Sequence, residues 1–302
     1  MTETLRFDRS HPGHYGASIT LSPLVRRVVA NNPGPFTFTG TVSHIVGRGQ
    51  VAVIDPGPDD PDHIAALLAA TAGETITHIV VTHTHRDHTD GVEALRAVTG
   101  ATVVGCAQHQ AARPLLPGEA NALDASADRG YRPDRILGEG DVVSDPSWTL
   151  EAVPTPGHTA NHLAFALREE NALFPGDHVM AWSTTIVAPP DGSMADYKAS
   201  LRRLIARSED IYYPAHGPSL TNGRRHAEAL LKHRELREDQ ILDALSAGPR
   251  TIPDLVASIY VALSPNMFGA AGLSVQAHLE ELVGRGVVRM DAGPKVPVFS
   301  LA

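Results

Sequence analysis

A single cysteine, Cys106, in 302 residues excludes an internal disulfide and a thiolate-rich metal site, and it fits a reducing compartment. No apolar run approaches the roughly 18 residues that a membrane-spanning helix needs. The stretch from Met1 to Ser10 lacks the apolar centre of a signal peptide, so a cytoplasmic protein without a membrane partner is expected. Aromatic residues are scarce at 5%, and neither an internal repeat nor a Gly-x-Ser-x-Gly serine-hydrolase elbow occurs. Positive charge is also short. Lys+Arg 25 against Asp+Glu 34 leaves a net −9, which argues against a broad electrostatic footprint for nucleic acid. Hydrophobic residues at 42% and charged residues at 20% describe an ordinary globular chain, long enough for about two domains. Histidine is the exception, with 16.

Before position 223, short β-rich runs alternate with amphipathic helical patterns. Val51–Ile54 precedes the turn Asp55-Pro56-Gly57, and His78–Thr82 precedes a polar loop. Helical spacing is read at 61–71 and 91–98, which predicts an α/β domain with functional loops at strand ends. The polar, Pro/Gly/Asp-rich stretch 108–145 is read as a long surface excursion bearing on substrate access. After Pro218 the character changes. Helices are predicted at 224–247, ended by Gly248-Pro249, at 252–261, and at 274–283, stopped by Gly284. Strands at 287–290 and 296–301 flank a turn at Asp291-Ala292-Gly293-Pro294, and three helices plus a hairpin make a winged-helix pattern. The domains are therefore set at 1–222 and 223–302. The second contains nine basic and nine acidic residues, so the first carries the whole of the −9.

The strongest chemical signal is Thr82-His83-Thr84-His85-Arg86-Asp87-His88-Thr89-Asp90-Gly91, after a strand and before a helix. His83 and His85 keep the two-residue period and project to one side. As the chain turns, Asp87 and His88 swing toward the same point, giving two imidazoles for one metal and an imidazole with a carboxylate for a neighbour. Nitrogen and oxygen ligands without thiolate suit Zn²⁺, with Mn²⁺ or Fe as substitutes. A polar helix N-terminus would account for Asp87 but not for three histidines in six residues. Three more strand ends carry suitable groups: His158 in Pro156-Gly157-His158, Asp177 in Gly176-Asp177-His178, and His216 in Ala215-His216-Gly217.

In this order the motifs resemble the metallo-β-lactamase-fold superfamily over roughly Asn32 to Pro218. The resemblance implies an αββα sandwich with a binuclear site at one edge. His83, His85 and His158 would bind one ion, Asp87, His88 and His216 the second, and Asp177 would bridge them. It further implies hydrolysis by a shared water, activated between two divalent cations and oriented by Asp87 as the catalytic residue. Asp55 is expected to be structural. His162, four after His158, and His178, directly after Asp177, are alternatives as hydrogen-bonding groups behind the ligands against the favoured reading as ordinary residues, and His44 and His78 are placed as core or edge residues. His11, His14, His63, His109, His226, His233 and His278 are expected on the surface, and Cys106 as buried filler.

Within the superfamily the chain is similar to the lactamase-β-2-like group, through Asn32-Pro33-Gly34-Pro35, Gly40-Thr41, Asp196-Tyr197 with Ser200-Leu201, and His233-Arg234 plus Arg237. That group includes single-strand-specific endoribonucleases and acyl-carrier-protein thioesterases. The chain departs from it at Val42-Ser43-His44, where the group usually has Asn-Thr-Tyr, and in the longer 108–145 segment. The bridging Asp177 counts against β-lactam hydrolysis as more than a side activity. The expected substrate is a small ester, thioester or lactone, and the alternative is single-stranded RNA, for which Tyr197, Tyr212 or Tyr213 would offer stacking, although each tyrosine is read first as a core residue. A non-enzymatic winged-helix regulator is disfavoured by the complete ligand set. The balanced charge of the winged helix argues against duplex DNA and for a structural role as one wall of the groove.

Overall fold

The computed structural model describes residues 5–116, 118–261, 264, 267–291 and 296–302. A seven-stranded sheet has the order β1 (Ile19–Thr20), β2 (Val25–Val29), β3 (Val42–Arg48), β4 (Gln50–Ile54), β5 (Thr75–Val81), β6 (Thr102–Gly105) and β7 (Arg135–Ile136). Its first four strands pair antiparallel and the last four parallel. The second sheet runs in the order β12 (Ile211–Tyr212), β11 (Ala172–Phe174), β10 (Leu163–Leu167), β9 (Trp148–Pro154) and β8 (Val142–Asp145). Strands covered on both faces read as nearly continuous apolar runs, and β4 and β5 do so.

Helices close the two outer faces. α1 (Pro61–Ala70) begins where Asp60 accepts a hydrogen bond from the Asp62 backbone N–H and Pro61 presets the first turn. After the single turn α2 (Arg86–Thr89), α3 (Val92–Thr99) joins α1 on the first sheet. Leu67 and Leu95 from these helices share one core with Ile45 and Ile79 of the first sheet and with Phe165 and Phe174 of the second. Trp148 pins the sheets together, its indole N–H donating to the Gln50 carbonyl at 3.0 Å. It lies so close to Gly47 that a Cβ there would sit 2.4 Å from the ring. On the far face of the second sheet, Ala164 and Leu173 pack against Tyr197 and Leu201 of α4 (Met194–Ile205) and Leu230 of α5 (Gly223–Ser246). The order of layers is α, β, β, α.

α5 serves two cores. Its first half belongs to the sandwich, whereas Ile241 and Leu245 pack with α6 (Ile252–Ile259), α7 (Phe268–Gly284), β13 (Val288–Asp291) and β14 (Val298–Leu301). α7 starts six residues before the expected Ser274 and includes Gly284. Burial of Ala271 and Val275 outweighs the roughly 1 kcal/mol cost of each of its glycines. The expected turn at Asp291-Ala292-Gly293-Pro294 lies outside the described residues beyond Asp291. Among the described residues, no helix is long and apolar enough to cross a membrane.

The segment 108–145 is more ordered than a surface excursion. It contains a 3₁₀ turn at Asp124–Ser126, and then β7 and β8. Arg113 fixes its first part by pairing with Glu119 and with Glu280 of α7, each at 2.6 Å. Its Tyr131 is buried in the main core.

His44 lies in β3 with its ring 5.2 Å from Phe174 and 5.9 Å from Tyr213. Burial, and then the nearby Arg27, push its pKa down to about 3. In the unfolded chain it protonates near its ordinary value of 6.5. Its contribution to stability is therefore complete above that pH and is lost as pH falls toward 3. Urea unfolding at pH 7 and pH 5 should show the wild type losing up to about 2 kcal/mol from this residue, and His44→Tyr escaping that part of the loss. Equal losses in the two proteins would show that another group sets the acid limit.

Candidate metal centre

Four loops at one edge of the sandwich bring the candidate groups together. β5 ends at Val81, and the chain stays extended to His85, which caps α2 and leaves Asp87 and His88 in its only turn. His158 follows β9 on a turn that requires Gly157, at φ +139° and too close to Tyr197 for any Cβ. Asp177 follows β11 and His216 follows β12.

Two groups result. In the first, His85 Nδ1 lies 3.0 Å from both His83 Nε2 and His158 Nε2, and Asp177 Oδ2 lies 3.6 Å from His158 Nε2. In the second, Asp87 Oδ2 lies 3.4 Å from His88 Nε2 and 3.2 Å from His216 Nε2. Asp177 Oδ1 reaches the same two atoms at 3.7 and 3.3 Å. Each oxygen of Asp177 thus faces one group. All seven residues named from the sequence lie in this cluster.

The ring nitrogens are oriented from behind. His158 Nδ1 lies 2.6 Å from the Ile186 carbonyl and His216 Nδ1 3.3 Å from the Gly40 carbonyl, so both must donate outward and keep a lone pair on Nε2. Asp55 sets two more. Its Oδ2 accepts from His88 Nδ1 at 2.9 Å and from the Thr82 hydroxyl at 2.8 Å. With its proton so engaged, Thr82 Oγ1 accepts from His83 Nδ1 at 3.0 Å. Four Nε2 lone pairs therefore converge on buried space, where His88 Nε2 and Asp177 Oδ1 lack hydrogen-bond partners. Lone pairs converging in this way are unfavourable unless positive charge lies between them, as protons or as metal ions, and this donor set suits divalent metal ions.

The electrostatics divide in the same way. Burial, then neighbouring imidazoles, hold His83 well below its ordinary pKa and His85 at about 3, and His158 is lowered chiefly by burial. These three are neutral imidazoles, the form in which a histidine can bind a metal ion. Burial also opposes charge on His88 and His216, but nearby carboxylates, Asp87 and Asp177 for His88 and Asp177 for His216, override it, raising His88 well above 6.5 and His216 to about 10. The second group demands positive charge.

His162 braces the cluster from behind. Its Nδ1 lies 2.8 Å from the Thr155 hydroxyl, and its Nε2 accepts from the Asp177 backbone N–H at 3.2 Å. His178 does not: both its nitrogens are buried without a partner, and its ring lies 4.5 Å from Tyr197. His11 and His14 are exposed as expected, but His63, His226 and His278 are buried. They sit on inward faces of helices, where a polar sequence context hides the packing. His63 Nε2 meets Ser43 Oγ at 2.9 Å, and His226 Nε2 meets the Met180 carbonyl at 3.0 Å. His109 is also covered, between Thr84 and Asp191. Tyr197, Tyr212 and Tyr213 are core residues and offer no stacking surface.

A cavity of about 530 Å³ opens onto the cluster at His85, Asp87, His158, Asp177 and His216 and extends to Arg234, Arg237 and Tyr260 beyond the sandwich. The helical region was expected as one wall of the groove, and His233-Arg234 plus Arg237 as part of the family resemblance, but the i, i+3 spacing of the two arginines did not show that they face the cavity, since a solvated helix face would share it.

A family described as the metallo-beta-lactamase superfamily matches residues 37–216, and the beta-lactamase associated winged helix domain matches 251–295. A Caenorhabditis elegans protein named beta-lactamase-like protein 2 homolog is 30% identical over 89% of this chain and 87% of its own length. An atrochrysone carboxyl ACP thioesterase of Aspergillus fumigatus is 34% identical over 74% of this chain, which spans 66% of that protein. A beta-lactamase domain protein from Burkholderia ambifaria superposes with a TM-score of 0.79 at 20% identity, covering 97% of this chain and 95% of that one.

Asp55 touches no substrate, so its test is metal retention. Asp55→Asn should lower affinity for divalent metal about 10- to 100-fold, as changes to groups that orient ligands do. Competition with a chromophoric chelator measures this, and unchanged affinity would detach Asp55 from the centre.

Proposed function

The chain belongs to the metallo-β-lactamase superfamily and is a metallo-hydrolase, and from that premise we propose that it holds two divalent ions, most simply Zn²⁺, and cleaves small acyl esters, thioesters or lactones. His83, His85 and His158 hold one ion, Asp87, His88 and His216 the other, with Asp177 between them. The observation that carries this reading is the Asp177 carboxylate, whose two oxygens face different histidine groups. Such ions supply a water acidified toward neutrality and a Lewis acid for the scissile carbonyl.

The chain's own groups do the rest. Asp87 is the most exposed ligand carboxylate and faces the cavity, with the Thr41 hydroxyl donating to its Oδ2 at 3.4 Å. It is placed to orient the attacking water and to accept its proton. Apolar side chains such as Met180, Trp182 and Ile186 cover much of the remaining wall, which suits an acyl chain better than a polyanion. The thioesterase name of one relative supports an acyl substrate. Single-stranded RNA is the second reading, favoured by Arg86, Arg234 and Arg237 in the same cavity. The domains 1–222 and 223–302 are assigned as catalytic unit and winged helix, the latter acting as a groove wall and not as a duplex-DNA reader.

Purified protein should retain up to two ions per chain by elemental analysis. Asp177→Ala and His85→Ala should each reduce that number and cut thioester hydrolysis by more than about 100-fold, beyond the effect of disturbing groups behind the ligands. Full loading with unchanged turnover in both would reject the ligand assignment. An acyl thioester should also be cleaved faster than nitrocefin. RNA cleavage that outpaces every acyl substrate and disappears in Asp87→Ala would reverse the order of the two readings.

A further inference from the structure

We infer that the turn of α5 from His233 to Arg237 forms a second binding site in the cavity, for an anionic group, carboxylate or phosphate, that the substrate carries beyond an apolar segment from the bond being cleaved. This rests on the hydrolase reading, and it adds the substrate's charge.

Three observations point to it. First, two guanidinium groups lie in the cavity without a carboxylate. Arg234 is only 2% exposed; it donates to the Thr185 carbonyl and to Ser274 Oγ, and lies 5.3 Å from the Tyr197 ring centre. Arg237 donates to Gln240 at 2.8 Å and lies 4.4 Å above the Tyr260 ring. Among the described residues neither makes an ion pair, whereas Lys198 meets Glu238 and Glu281, and Arg113 meets Glu119 and Glu280. A buried guanidinium is costly without an anion, so the missing partner is sought in the cavity that both line.

Second, the free donors lie within one helical turn. Arg234 Nε, Arg237 Nε and His233 Nδ1 are all buried and lack hydrogen-bond partners. Spacings of i, i+3 and i, i+4 put such groups on one side of a helix. Burial, then Arg234 and Arg237, push the His233 pKa down to about 4, leaving a neutral imidazole beside two cations.

Third, the lining that this turn shares with the metal centre also includes the apolar side chains of Met180, Trp182 and Met267. A strand of nucleic acid carries a phosphate at every nucleotide and needs cations along its whole path. A cluster of cations at one end and acyl chemistry at the other instead fits a small amphiphile with one charged terminus, and about 530 Å³ suits such a ligand.

Three thioesters separate the sources of the anion: octanoyl-N-acetylcysteamine, which is neutral, the suberyl monothioester of the same thiol, and octanoyl-4′-phosphopantetheine. With metal-loaded full-length protein, one of the two anionic substrates should exceed the neutral one about tenfold in kcat/KM, mainly through KM. Arg237→Gln should abolish that preference, and Arg202→Gln, on an exposed part of α4, should retain it. Calorimetry gives a readout that needs no turnover: suberate or 4′-phosphopantetheine should bind about tenfold tighter than octanoate, and Arg237→Gln should close the gap. If no thioester is cleaved, the thioester reading fails while calorimetry still decides the anion site. Equal kcat/KM and equal affinities in wild type overturn the site. It is also overturned if Arg237→Gln lowers cleavage of a fluorogenic RNA oligonucleotide and leaves the substrate preference intact.

Discussion

The buried carboxylate of Asp55 accepts hydrogen bonds from the Thr82 N–H, the Thr82 hydroxyl and His88 Nδ1. These bonds tie the end of β4 to the end of β5 and to α2, the single turn that carries Asp87 and His88. Through Thr82 the same carboxylate sets the proton on His83. One group of each histidine cluster is therefore oriented by one side chain, and the spacing of the two clusters follows from the backbone geometry at that point. Asp55 itself holds a left-handed backbone at φ +50°, an arrangement uncommon outside glycine, asparagine and aspartate. The strain is accepted where the carboxylate has three donors to satisfy.

Around this anchor, charge is distributed by depth. The surface excess of acid belongs to the first domain, while the contact between sandwich and helical region is held by matched pairs. Lys198 of α4 reaches Glu238 of α5 at 2.6 Å and Glu281 of α7 at 2.7 Å, and Arg285 adds a second cation to Glu238. Although Glu238, His278 and Glu281 are close enough to suggest a third metal group, the Lys198 ammonium already supplies the positive charge that such a group would need. Arg234 and Arg237, which face the cavity, stand apart because neither makes an ion pair among the described residues.

α5 makes the cavity possible. Leu230 belongs to the sandwich core and Ile241 to the helical core, so one rigid helix fixes the angle between the two units. Its inner face then becomes a wall of the same cavity into which Asp87 and Asp177 open. The 108–145 segment adds Leu123 and Ser126 to the rim. Arg113 holds that segment against α7, so the rim and the far wall are mechanically joined.

Residues near one another in sequence were the legible part. Six consecutive positions from His83 to His88 announced the metal chemistry, because a strand followed by a helical turn can direct its side chains in few ways. The α/β layering followed from apolar runs and turn residues, and the change after Pro218 announced the helical region. His158, Asp177 and His216 were found through the order of their motifs, but their distances from the first motif depended on two sheets packing with one register. The buried positions of His63, His226 and His278 were not legible, since a helix pattern shows which residues are polar and not which polar residues find a partner inside. The helical region was expected as a groove wall, but the pair of cavity-facing arginines on it, Arg234 and Arg237, was hidden for the same reason. It lies about 150 residues from the histidine motif in the chain, and only the packing of α5 against both cores brings these two guanidinium groups to the cavity.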